Sequence, residues 1–166
     1  MKMMRMSDIK YIDIPLEYNK KIINKTSSAR VYTDATILTP GEWSDSVTQA
    51  PVVYEEAVLR KYATNWESNY LNVDHSFRTL DRIGYVENAY FSKGKVKADL
   101  RILPVTQKAR DTIALIDAGL ANNVSVEIKT EDVWKSEEMK RYVDKITFIG
   151  LAVVLYPACE QAIINE

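Results

Sequence analysis

The sequence predicts an α+β domain in which helices pack around a mostly antiparallel β core. Three observations carry this reading. At least five segments have strand character, two stretches have helical spacing, and the two kinds do not follow the strict βαβ order of a parallel sheet. The chain has 166 residues, enough to bury one adequate core, so residues 1–166 read as a single domain.

Taken in order, Val31 to Leu38 (VYTDATIL) is rich in β-formers and closes on Thr39-Pro40-Gly41, a turn signal. Pro51 then reads as the first turn of a helix, with Val53, Ala57, Tyr62 and Trp66 recurring at helix-like spacing. Ile83 to Phe91 and Lys95 to Ile102 read as a hairpin joined at Ser92-Lys93-Gly94. Pro104 and Thr106 precede a second helix, QKARDTIALIDA, with Gly119 placed to end it. Asn123 to Lys129 (NVSVEIK) alternates as a half-buried strand does. The charged run Glu131 to Arg141 reads as a solvated loop or short helix, and Ile146 to Tyr156 as a buried strand.

Composition narrows the function. A 46% hydrophobic and 27% charged chain is globular rather than disordered. The net charge of -1 argues against nucleic acid as a partner, since such partners are met by a basic excess. One His and one Cys argue against a His/Cys metal site, and no cofactor motif is present. Cys159 alone excludes an internal disulfide and fits a reducing compartment. Residues 1–14 lack the apolar core of a signal peptide, and the longest apolar run is too short for a membrane span. A soluble protein of the cytoplasm, without a membrane partner, is expected. Trp43, Trp66 and Trp134 read as core or interface aromatics, and Cys159 as a small buried apolar residue.

The chemistry-bearing candidates are His75, in Asn72-Val73-Asp74-His75-Ser76, and Ser125, in Val124-Ser125-Val126-Glu127. A serine hydroxyl is a poor nucleophile until a base takes its proton, and imidazole does so near neutral pH. A third group normally fixes the imidazole tautomer. Alternation puts Glu127 on the face of Ser125, while Asp99 and Asp144 remain alternatives; Asp74 adjoins His75 and is poorly placed to orient it. No Gly-x-Ser-x-Gly elbow is present, which disfavours an α/β-hydrolase.

The ordered runs ILTPGEWSDSVTQAPVVYEEAVLRKYATNW, LNVDHS, IGYVENAYFSKGKVKADLRI, AGLANNVSVEI and ITFIGLAVVLYPAC resemble the prohead (procapsid maturation) serine proteases of tailed bacteriophages, which are similar in fold to herpesvirus assemblin proteases. The likeness covers about Val31 to Cys159. It implies a small β-barrel surrounded by helices, His75 as base and Ser125 as nucleophile. It also implies an endopeptidase that cuts scaffold and the scaffolding segments of the major capsid protein inside the procapsid in the host cytoplasm, and that cuts itself. A homo-oligomer is compatible with this. Two departures stand out: Gly150 occupies the place where many relatives carry a third catalytic His or Glu, and no Arg follows Arg141 to support an oxyanion. Glu127 is then the favoured third member, with a bare Ser-His dyad open. An inactive relative acting in assembly, or a structural β-barrel virion protein, is the alternative. Some relatives cut after Glu with Ile or Leu two residues before it. Only Ile164-Asn165-Glu166 fits that pattern here, so Glu166 is expected to be a self-processed end.

Overall fold

A computed structural model describes residues 10–15, 17–19, 29–44, 50–67 and 69–154. Cys159 and Glu166 lie outside the described residues, as does the end of the last apolar run. The strands are β1 (Lys10–Pro15), β2 (Glu17–Asn19), β3 (Arg30–Leu38), β4 (Gly41–Ser44), β5 (Pro51–Tyr54), β6 (Tyr70–Val73), β7 (Arg82–Ser92), β8 (Lys95–Ile102), β9 (Asn123–Lys135) and β10 (Lys140–Val154). Two α-helices, α1 (Glu56–Tyr62) and α2 (Gln107–Asp117), and short 3-10 turns connect them.

The strands form one ten-stranded sheet in the order β1-β9-β10-β6-β7-β8-β3-β2, with β5 paired to β10 and β4 to β5. The expected closed barrel is therefore corrected to an open, mixed sheet: β1 and β2 stand at its two ends, and barrel closure requires those ends to bond to each other. The expectation of antiparallel pairing holds for most neighbours, but β10 runs parallel to both β5 and β6. With two short α-helices, the helical layer is also thinner than expected.

Local chemistry explains the elements. The β7–β8 hairpin turns at Lys93-Gly94, both left-handed at φ 49 and 76, as a two-residue hairpin turn requires. Thr106 caps α2 by accepting from the Ala109 N–H at 3.1 Å, and Gly119 ends it with φ 74. Pro51 belongs to a strand, not a helix. Val52 and Tyr54 alternate inward from β5, so the helix starts only at Glu56. The charged run at 131–141 is likewise neither loop nor helix: β9 and β10 continue through it as a hairpin with its turn at residues 136–139.

The core gathers Leu38, Leu59, Leu71, Leu100, Ile102 and Ile116 from five elements together with Val124, Val126 and Ile128 of β9. Trp66 is fully buried and stacks on Phe148 with centroids 3.4 Å apart. Trp43 is half-buried against the core, whereas Trp134 is exposed on the β9–β10 hairpin rather than packed in the core. No helix among the described residues is long and apolar enough to cross a membrane.

Candidate active site

The first half of strand β9, residues 123–128, is buried on both faces, not one. Val124, Val126 and Ile128 face the core; Asn123, Ser125 and Glu127 point the other way and are 6%, 0% and 2% exposed. A row of three buried polar side chains is unfavourable without partners, so their surroundings decide what the row does.

The pairing of strands sets those surroundings. Ser125 is opposite Ala152 of β10, which is opposite Asn72 of β6; Glu127 is opposite Gly150, which is opposite Tyr70. Residues directly opposed across a sheet share a face. Ser125, Glu127 and Asn72 therefore converge above two of the smallest residues, Ala152 and Gly150. The Glu127 carboxylate crosses this gap, and its Oε1 accepts from Asn72 Nδ2 at 2.6 Å.

His75 reaches the same oxygen from a turn. After β6 the chain reverses through Val73-Asp74-His75-Ser76, closed by a bond from the Ser76 N–H to the Val73 carbonyl at 3.1 Å. Asp74 and His75 both have positive φ, 53 and 55, the pattern of a type I′ turn. That conformation disfavours most L-residues, although Asp and His tolerate it better than others. The Asp74 N–H bonds Val153 O at 3.1 Å and anchors the turn to β10. The imidazole then meets Glu127, with Nδ1 3.1 Å from Oε1. Asp74 itself is exposed in this turn.

Behind the turn, Ser76 Oγ donates to Asp81 Oδ2 at 2.5 Å, and Lys108 Nζ of α2 donates to Asp81 Oδ1 at 2.5 Å. The Lys108 ammonium first, and the Ser76 hydroxyl second, hold the Asp81 carboxyl below its ordinary range. The segment carrying His75 is thus tied to β10 on one side and to α2 on the other.

The three acidic candidates part company. Glu127 touches His75. Asp99 sits on β8, two strands from β6. Its carboxylate accepts from the Asp34 N–H at 3.0 Å and Asn88 Nδ2 at 2.8 Å. Asp34 and Asn88 are left-handed residues at irregularities in β3 and β7, so Asp99 pins a kink on either side of its strand. The hydroxyl of Tyr90 donates to Asp34, a contact that pushes the phenol up to about 12. Asp144 is exposed at another register irregularity, in β10. Asp99 and Asp144 therefore have structural surroundings of their own.

Ser125 is brought to the same face but is not bonded to His75: its buried Oγ makes no hydrogen bond among the described residues. Such an orphaned hydroxyl costs about 1–3 kcal/mol. Catalytic hydrogen bonds are often formed only once substrate binds, so the missing bond does not by itself exclude a nucleophile and base. Asn72, which sequence reasoning did not single out, is the fourth member of the group. Its signal was an Asn inside an apolar strand, where Asn is depleted. No cluster of three or more potential metal-ligating side chains occurs among the described residues.

The fold has a solved counterpart. The structure of the bacteriophage T4 capsid assembly protease aligns with a TM-score of 0.57 over 90% of this chain and 99% of that one, at 12% sequence identity. The chain shares that protease's fold. No protein-family model and no curated protein matches the chain in sequence.

Proposed function

We propose that this chain is a serine endopeptidase of capsid maturation, acting on scaffold and on the scaffolding segments of the major capsid protein within the assembling procapsid, and cutting itself. The observation that carries the reading is the Glu127–His75 contact on the face that holds Ser125. The shared fold with a phage capsid assembly protease supports it.

The steps follow from the residues. Glu127 accepts from His75 Nδ1–H, which puts the ring's basic lone pair on Nε2. His75 takes the Ser125 Oγ proton as Oγ bonds to the scissile carbonyl carbon. The proton passes to the leaving amine as the C–N bond breaks, leaving an ester on Ser125. Water, deprotonated by His75, then attacks the ester, and the released serine regains its proton. Backbone N–H groups would stabilise the oxyanion in both halves. Glu127 is buried, and Asn72 and His75 are the two groups that meet its Oε1.

A second reading, an assembly protein without activity, is favoured by the enclosed and unbonded Ser125 hydroxyl. Co-expression with a scaffold and capsid protein separates the two. Cleavage by the wild type and none by Ser125→Ala supports the protease; intact scaffold with folded wild type supports the alternative.

A further inference from the structure

We infer that Asn72 is a positioning residue, which aims the Glu127 carboxylate at His75 across Gly150 and Ala152. The catalytic consequence rests on the proteolytic reading above, but the positioning itself does not.

Three observations meet here. Asn72 Nδ2 and His75 Nδ1 both contact one atom, Glu127 Oε1, at 2.6 and 3.1 Å. A carboxylate has two oxygens, and a donor on the shared one selects the rotamer that presents it to the ring. Second, Asn72 is 5% exposed, and its Oδ1 finds no hydrogen-bond partner among the described residues. An apolar side chain would avoid that unsatisfied carbonyl, so packing alone does not explain an amide at this place. Third, Asn72 reaches Glu127 from two strands away because β10 offers only Gly150 and Ala152 between them. Asn72 also lies on the strand that leads directly into the His75 turn, so one short segment supplies both the base and the group that orients its carboxylate.

The chain has a single histidine, which gives a direct test. In the full-length protein with 15N-labelled histidine, the proton NMR spectrum should show one His75 Nδ1–H signal, downfield because it is bonded to a carboxylate. Glu127→Gln serves as the control that moves it. Asn72→Ala and the isosteric Asn72→Asp should both lose or displace the signal while circular dichroism stays native. Asn72→Asp does so because two carboxylates in contact must share a proton. In a cleavage assay, Asn72→Ala should lower kcat about 10²-fold with KM little changed, the signature of misplaced chemistry rather than lost binding. A wild-type signal retained in either folded variant would overturn the inference. Displaced signals in the variants, with a wild type that cleaves nothing, would support the positioning and overturn the proteolytic reading instead.

Discussion

Glu127 lies directly over Gly150. A Cβ built on Gly150 would stand 2.9 Å from Glu127 Oε2 and 3.0 Å from the Tyr70 carbonyl oxygen. The glycine is therefore needed for space: β10 gives up a side chain so that a carboxylate from β9 can cross to His75 on the far side.

Gly150→Ala should accordingly do two things at once. One contact is with backbone, which cannot swing away, so stability should drop by about 1–3 kcal/mol, the usual range for overpacking. Cleavage should fall further than stability explains, because Glu127 is the atom group that can yield. Thermal melts beside initial cleavage rates check this; an alanine variant with wild-type rates would show that Glu127 does not need the space.

Ser125→Ala should separate function from stability in the opposite sense. If Ser125 is the nucleophile proposed above, its removal can cost on the order of 10⁶ in turnover. Removing a buried hydroxyl with no partner should leave stability unchanged or raise it by about 1 kcal/mol. Denaturant unfolding of the two proteins measures the second effect, and a clearly destabilised variant would show that Ser125 Oγ has a structural bond.

His75 sits at φ 55, where a Cβ is disfavoured. His75→Gly and His75→Ala both remove the imidazole and should both be inactive. His75→Gly should nevertheless be the more stable by about 1 kcal/mol, since only glycine is at ease there. Equal stabilities would mean that the turn relaxes when the ring is gone.

The Asp81 clasp predicts a pH effect with a definite sign. Its carboxyl is held below the ordinary value of 3.8 in the folded protein, so the contribution is present above that value and is lost as pH falls through the lower folded value. Wild type should melt above Asp81→Asn near neutral pH, and the gap should close as pH is taken below 3.8. A gap that stays constant to low pH would place the stabilisation elsewhere.

Much of this arrangement could be read locally and some could not. The Lys93-Gly94 turn, the Thr106 cap and the Gly119 stop are written in consecutive residues, and α2 and the β7–β8 hairpin form where those signals lie. The strand character of residues 131–141 was hidden, because both faces of that hairpin are largely solvated and no apolar alternation marks it. Pro51 misled because a first helical turn and a strand start both accept proline. Sheet order depends on contacts between distant residues, so the parallel β6–β10 pair and the open ends left no local trace. At the site, alternation alone placed Glu127 beside Ser125. Asn72 was missed because its partnership exists only once β10 lies between β6 and β9.

The central claim is that Ser125, His75 and Glu127 act as one nucleophilic unit. Labelling with a serine-directed fluorophosphonate, followed by intact mass and peptide mapping, tests it most directly. Wild type should gain a single adduct on Ser125, His75→Ala should gain none, and Glu127→Gln should react far more slowly, with Asp99→Asn and Asp144→Asn labelling at the wild-type rate. A folded wild type that stays unlabelled, or an adduct on any other serine, would contradict the account.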